Sequence, residues 1–103
     1  MASTRFSIIM DYRNAMAQAD AIDSLIAELR SDCNRLNGCN DRINIYWKGD
    51  NALKYKSKVV KTTQNISQII KDLSNISATI KRIAKRTYDT EMATLEISRN
   101  RTY

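Results

Sequence analysis

The residues able to do chemistry are few: two Cys, eleven Asp and Glu, seventeen Lys and Arg, and no His. Cys33 and Cys39 are six apart. On a helix that spacing turns the thiols about 240° from each other over a rise of roughly 9 Å, outside disulfide reach. Two free thiols fit a reducing compartment. They make no metal site, because without His the commonest ligand is missing, as is the usual general base at neutral pH. Cys33 reads as a small core hydrophobe. The acids Asp11, Asp20, Asp23, Glu28, Asp32 and Asp41 are interleaved with Arg13, Arg30, Arg35 and Arg42, the pattern of a solvated helix face. No Gly-rich phosphate loop or nucleophile-plus-base arrangement occurs. Asn65-Ile66-Ser67, Asn75-Ile76-Ser77 and Asn100-Arg101-Thr102 fit the glycosylation letters, but carry no weight without a secretory signal. The expectation is no catalytic residue, no metal and no cofactor.

Charge is the stronger signal. Residues 1–49 carry six Lys/Arg and six Asp/Glu, whereas residues 50–103 carry eleven and five, so the excess of +6 lies in the second half. Lys54, Lys56, Lys58, Lys61 and Lys71 have no acid among them, and Lys81, Arg82, Lys85 and Arg86 form a second cluster. A nucleic acid or an anionic surface therefore has to be considered as partner. No apolar run is long enough for a membrane span. "MASTRFSIIMDYR" lacks a basic segment followed by a long apolar one, so no cleavable secretory signal is expected.

The elements that would carry these groups are set by a 3-4 apolar spacing. It runs Ile8, Tyr12, Ala15, Ala19, Ile22, Ile26, Leu29, Cys33, Leu36, Asn40, Ile43, Trp47, and then Ala52, Tyr55, Val59, Thr62, Ile66, Ile69, Leu73, Ile76, Ile80, Ile83. Such a seam, unbroken by Pro, predicts two long coiled-coil-like helices. The chain reads as one domain, 1–103: helix 1 over about 4–45, a turn at 46–50, helix 2 over about 51–98 and a tail at 99–103. Gly38 keeps the phase on both sides and should not break helix 1.

Between the helices lies "NIYWKGDNA". Gly49 can adopt the positive φ that ends a helix, and Asp50 or Asn51 can cap the next. A connection this short makes an antiparallel hairpin, with Trp47 placed to plug the end of its core. On helix 2 the outer positions are Lys54, Ser57, Lys61, Gln64, Gln68, Lys71, Asn75, Ala78, Arg82 and Lys85. That face suits plain solvation, an acidic protein partner or nucleic acid, though it lacks stacking aromatics.

Two helices bury one stripe each, and so thin a core calls for a second hairpin. Leu25, Leu53, Val60 and Ile70 flank the seam and form the expected partner interface. Asn40 at a seam position reads either as a register device or as a solvated polar residue near the turn. The expected fold class is all-α, an antiparallel two-helix hairpin assembling as a four-helix bundle dimer.

Length, hairpin and turn together resemble the WXG-100 (Esx-like) family of type VII secretion systems. The resemblance rests on Trp47-Lys48-Gly49 as the W-x-G turn and on "WKGDNALKYKSKV" after it, where Ala52, Tyr55 and Val59 resume the seam. It covers nearly the whole chain. It implies a homo- or heterodimeric four-helix bundle with no enzymatic activity. It also implies a protein made in the bacterial cytoplasm and then released or displayed without a cleaved signal peptide. Members that carry their own export signal have Y-x-x-x-D/E just past the bundle. Here Tyr88 is followed by Glu91 at the third residue and Met92 at the fourth, so the signal is absent or degenerate.

Two roles follow from that departure. The chain is exported as half of a heterodimer whose WXG-100-like partner supplies the signal, or it is a targeting factor for the helical N-terminal domain of a larger LXG-type toxin. "IKRIAKRTYDTEMATLEIS" also resembles the closing helix of WXG-like proteins near such toxins. The apolar stripe changes phase there, to Ala84, Tyr88, Met92 and Leu95, and about 92–103 should project beyond the hairpin as an export or docking tail, or fray. The alternatives are a homodimeric secreted WXG-100 protein with its own degenerate signal and a basic helical nucleic-acid-binding protein. A secretion needle subunit is also a helical hairpin, but its turn typically uses proline, which this chain lacks.

Overall fold

The computed structural model describes residues 4–101, apart from the side chains of Asn44 and Arg101. Two helices account for nearly all of them: α1, Arg5–Tyr46, and α2, Asp50–Arg101, of 42 and 52 residues. The boundaries fall within a few residues of those expected. The difference is at the end, where the tail foreseen from residue 99 is still helix at Arg101. Residues 102–103, and with them Tyr103, lie outside the described residues.

Local hydrogen bonding explains the ends. The Thr4 amide donates to Ser7 Oγ at 3.0 Å and the Ser7 amide to Thr4 Oγ1 at 3.1 Å. This is a reciprocal capping box with Ser in place of the more usual Glu or Gln. The Ile8 amide then closes the first turn on the Thr4 carbonyl. At the other end of α1 the Trp47 amide still donates to the Ile43 carbonyl, 2.8 Å away. Gly49 follows at φ +114°, and its carbonyl accepts from the Leu53 amide at 3.1 Å. Gly49 is therefore the N-cap of α2, the role expected of Asp50 or Asn51. Asp50 instead occupies the first turn, where a carboxylate suits the positive end of the helix dipole. Gly38 lies inside α1, with open space where a Cβ would stand.

The chain forms two compact units. The turn unit is Asp23–Ser74 and the terminal unit joins the stretch up to Ile22 with that from Asn75 onward. Within the turn unit Ile26, Ala52 and Val59 are buried, and Leu29, Cys33, Leu36, Ile43, Thr63, Ile66, Ile70 and Leu73 are half-buried. Cys33 Sγ lies 4.0 Å from the Thr63 carbonyl, so this thiol sits at the helix–helix contact as a small packing group. Cys39 is exposed, and both are free. Asn40 has a buried Oδ1 without a hydrogen-bond partner. It belongs to the packed series and is not the solvated residue that was one of its two readings.

Within the terminal unit Ile8, Ala19, Ser77 and Ala84 are buried. Ser77 Oγ donates to the Ala19 carbonyl at 3.3 Å, and the Tyr12 and Tyr88 rings lie 5.0 Å apart between centroids, tilted 46°. In each unit the partner number falls as the residue number rises, so the segments run antiparallel.

On α1 the inward series is the expected one from Ile8 to Ile43. On α2 it is not. The anticipated Tyr55, Thr62, Ile69, Ile76 and Ile83 are all exposed, and the inward positions are Lys56, Thr63, Ile70, Ser77 and Ala84, alternating with Ala52, Val59, Ile66, Leu73 and Ile80. The spacing starts 4-3 where 3-4 was read. The physical reason is close approach: small Ser77 and Ala84 let the helix backbones come together, and half-buried Lys56 has an aliphatic stem long enough to be covered with its amine left in water. A row of Ile at the same level would hold them apart. Ile70, assigned to the partner interface, accordingly packs within the turn unit.

Candidate partner-binding surface

With the inward series placed, α2 has apolar residues left over at a fixed seven-residue interval. Tyr55, Ile69, Ile76 and Ile83 are between 43% and 53% exposed, and Ile97 continues the interval. The intervening positions are Thr62 and Thr90. One apolar position per heptad beside an already packed seam is what a further helix would use. The turn unit exposes Tyr55 and Ile69, and the terminal unit exposes Ile76, Ile83 and Ile97. None of these had been assigned to an interface. The signal that could have found them is a double one: α2 carries side chains suited to packing at both the third and the fourth residue after Ala52, Val59, Ile66, Leu73 and Ile80.

Of the residues expected at the interface, Leu25, Leu53 and Val60 are exposed. By helical spacing Leu53 and Val60 lie on the opposite flank of the inward series from Tyr55 and Ile69, so the structure does not gather the expected set onto one surface. Of the expected tail residues, Tyr88 is engaged by Tyr12, and Glu91, Met92 and Leu95 are half-buried. Unbroken exposure begins only at Glu96 and holds through Asn100, later than foreseen, since Glu91, Met92 and Leu95 are half-buried. The phase change to Ala84, Tyr88, Met92 and Leu95 does appear in the burial pattern.

Trp47 is 48% exposed. Its ring centroid lies 6.3 Å from that of Tyr55, the planes at 51°. The indole therefore leans against the first turns of α2 and does not plug a core. Trp47→Ala is expected to cost about 1.5–2 kcal/mol, roughly half the loss for a buried indole, read by urea denaturation. A loss above about 3 kcal/mol would show that the ring is covered in solution by something other than Tyr55.

The outer residues of α2, from Lys54 through Lys61, Lys71 and Arg82 to Lys85, are exposed as expected. Lys54, Lys58 and Lys61 pair with no carboxylate among the described residues. The groove beside Cys33 is lined by Asn37, Thr63, Gln64, Ser67, Gln68 and Lys71, amides, hydroxyls and one amine without an acid. Among the described residues no cluster of acids and thiols could hold a metal ion, and no helix is long and apolar enough to cross a membrane. No family model, curated protein or solved structure matches this chain.

Proposed function

We propose that this chain is a non-enzymatic, type VII secretion-associated protein of the WXG-100 kind. It acts by docking α2 on a helical partner, either a WXG-100-like protein or the helical N-terminal domain of an LXG-type toxin. The observation that carries the reading is the half-exposed apolar residues at heptad interval in each unit, Tyr55 and Ile69 in the turn unit and Ile76 and Ile83 in the terminal unit. Two long helices interrupted only around Trp47–Gly49 agree with it, as does Gly49 at positive φ.

Magnitude limits what this row can do unaided. Covering the exposed half of four such side chains releases roughly 1 kcal/mol each. Association costs about 4–15 kcal/mol in lost freedom. A stable complex therefore needs the row together with further contacts, as a four-helix bundle provides.

The test is co-expression of the full chain with the products of neighbouring genes, followed by measurement of complex mass. A two-protein complex is expected, with export of the partner lost when this chain is deleted. Replacing Ile69, Ile76 and Ile83 together by Ser should dissociate it while leaving the helical circular dichroism of this chain in place. A complex indifferent to the triple substitution would put the partner surface elsewhere. A chain that is monomeric, partnerless and without effect on any export would end the reading.

A further inference from the structure

The charge around Tyr55 and Ile69 selects among the possible occupants of that face. Lys58 is three residues beyond Tyr55 and four before Thr62, so it borders the exposed row directly. Lys54 and Lys61 lie next outward, and none of the three meets a carboxylate among the described residues. Asp72, three residues beyond Ile69 and so also beside the row, accepts from Gln68 Nε2 at 3.0 Å. From Asn51 to Lys71 α2 has five lysines and no acid.

We propose that the occupant of the turn unit's α2 face is a heterologous helix with an apolar heptad row flanked by Asp and Glu, and not a second copy of this chain. The inference rests on the partner-docking reading above and adds the partner's chemistry to it. A second copy on this face would be related by a two-fold axis, which places a surface against itself. With the axis crossing α2 near Thr62, Lys61 of one copy would stand level with Lys61 of the other and Lys54 level with Lys71, and with the axis along the helices each lysine would stand level with its own counterpart. Like charges so placed oppose assembly, whereas flanking carboxylates relieve unpaired cations and fix register.

A lipid surface is the other chemistry that basic amphipathic helices take. It calls for a wide apolar arc rimmed by cations. Here Lys54, Lys58 and Lys61 stand between the Tyr55/Ile69 flank and the Leu53/Val60 flank, so no single arc forms. The row itself is one residue wide and contains Thr62.

The experiment uses the full chain and two synthetic helical peptides of about four heptads, with Ile and Leu at the core positions and either Glu or Lys at the flanking ones. The Glu peptide is expected to bind at least about tenfold more tightly at about 50 mM salt, with the preference shrinking at about 0.5 M. Charge reversal at Lys54, Lys58 and Lys61 to Glu should invert the preference with helix content unchanged. Tyr55→Ser with Ile69→Ser should weaken the Glu peptide at both salt concentrations. Equal binding of the two peptides would overturn the proposal. So would a salt-independent dimer of the chain alone that is lost on Ile69→Ser, or tighter binding to anionic phosphatidylserine vesicles or a DNA duplex than to the Glu peptide. If the natural complex persists and depends on Ile69, Ile76 and Ile83 while the peptides show no preference, only the partner's acidity is wrong.

Discussion

Ile26→Ala lowers the unfolding free energy of the isolated chain by about 3–4 kcal/mol, while Ile69→Ala lowers it by only about 1–1.5 kcal/mol. The same three-carbon deletion is made at each site. Ile26 is 5% exposed and lies in the inward series of α1; Ile69 is about half-exposed on the outer row of α2. Removing the first forfeits transfer free energy and leaves a gap that two rigid helices close only in part. Removing the second forfeits only the contacts of its covered half and leaves no enclosed gap, because its outer side is open to solvent. Urea denaturation followed at 222 nm, at micromolar protein so that self-association contributes little, measures both. The comparison also tests the 4-3 spacing of α2. If Ile69 were a seam residue, as a 3-4 reading has it, the two substitutions would cost alike, and equal losses would refute the packing described here.

Gly49→Val is the second large effect, a loss of about 2–3 kcal/mol. The cause is conformational and not steric crowding, since no atom lies within 4 Å of where a Cβ would stand. A φ of +114° is outside the regions open to L side chains, and a β-branched residue is least able to reach it. Gly38 provides the control. It too has open space at its Cβ, but its backbone is helical, so Gly38→Ala should stabilise by about 0.5–1 kcal/mol. Thermal or urea unfolding of the two variants side by side should move in opposite directions. A neutral Gly49→Val would mean that the connection re-forms around another residue.

Much of the fold could be read from residue spacing. The seam of α1 was legible because it has apolar or small residues at one pair of heptad positions and polar ones on either side of Leu29, Cys33 and Leu36. The break was legible because Gly49 stands two residues after Trp47, the last of the seam series. On α2 the inward direction was not legible from hydrophobicity. Ile69, Ile76 and Ile83 are more apolar than Thr63, Ser77 and Ala84, yet the smaller set faces inward. Spacing reports that a stripe exists, whereas steric fit between two backbones decides which of two neighbouring stripes is used. The expected exposures followed from that: with the seam assigned one position off, Ile70 reads as free and the Ile69 row as covered, whereas Ile70 is half-buried and Ile69 exposed. Trp47 stands half-exposed, where a core plug was expected, for a related reason. Its heptad position continues the seam, but α1 has already ended at Tyr46, so the ring is carried past the last packed level.

The antiparallel pairing also sets the order in which the chain closes. The Cys33–Thr63 contact spans 30 residues of sequence, the Ser77–Ala19 bond spans 58, and the Tyr12–Tyr88 rings are farther apart still. Loop entropy rises with each step away from Gly49. The nucleus of folding is thus expected near the bend, with pairing propagating outward and the tyrosines meeting last. Changes close to Gly49 would then slow folding itself, and changes at Tyr12 or Tyr88 would mainly hasten unfolding.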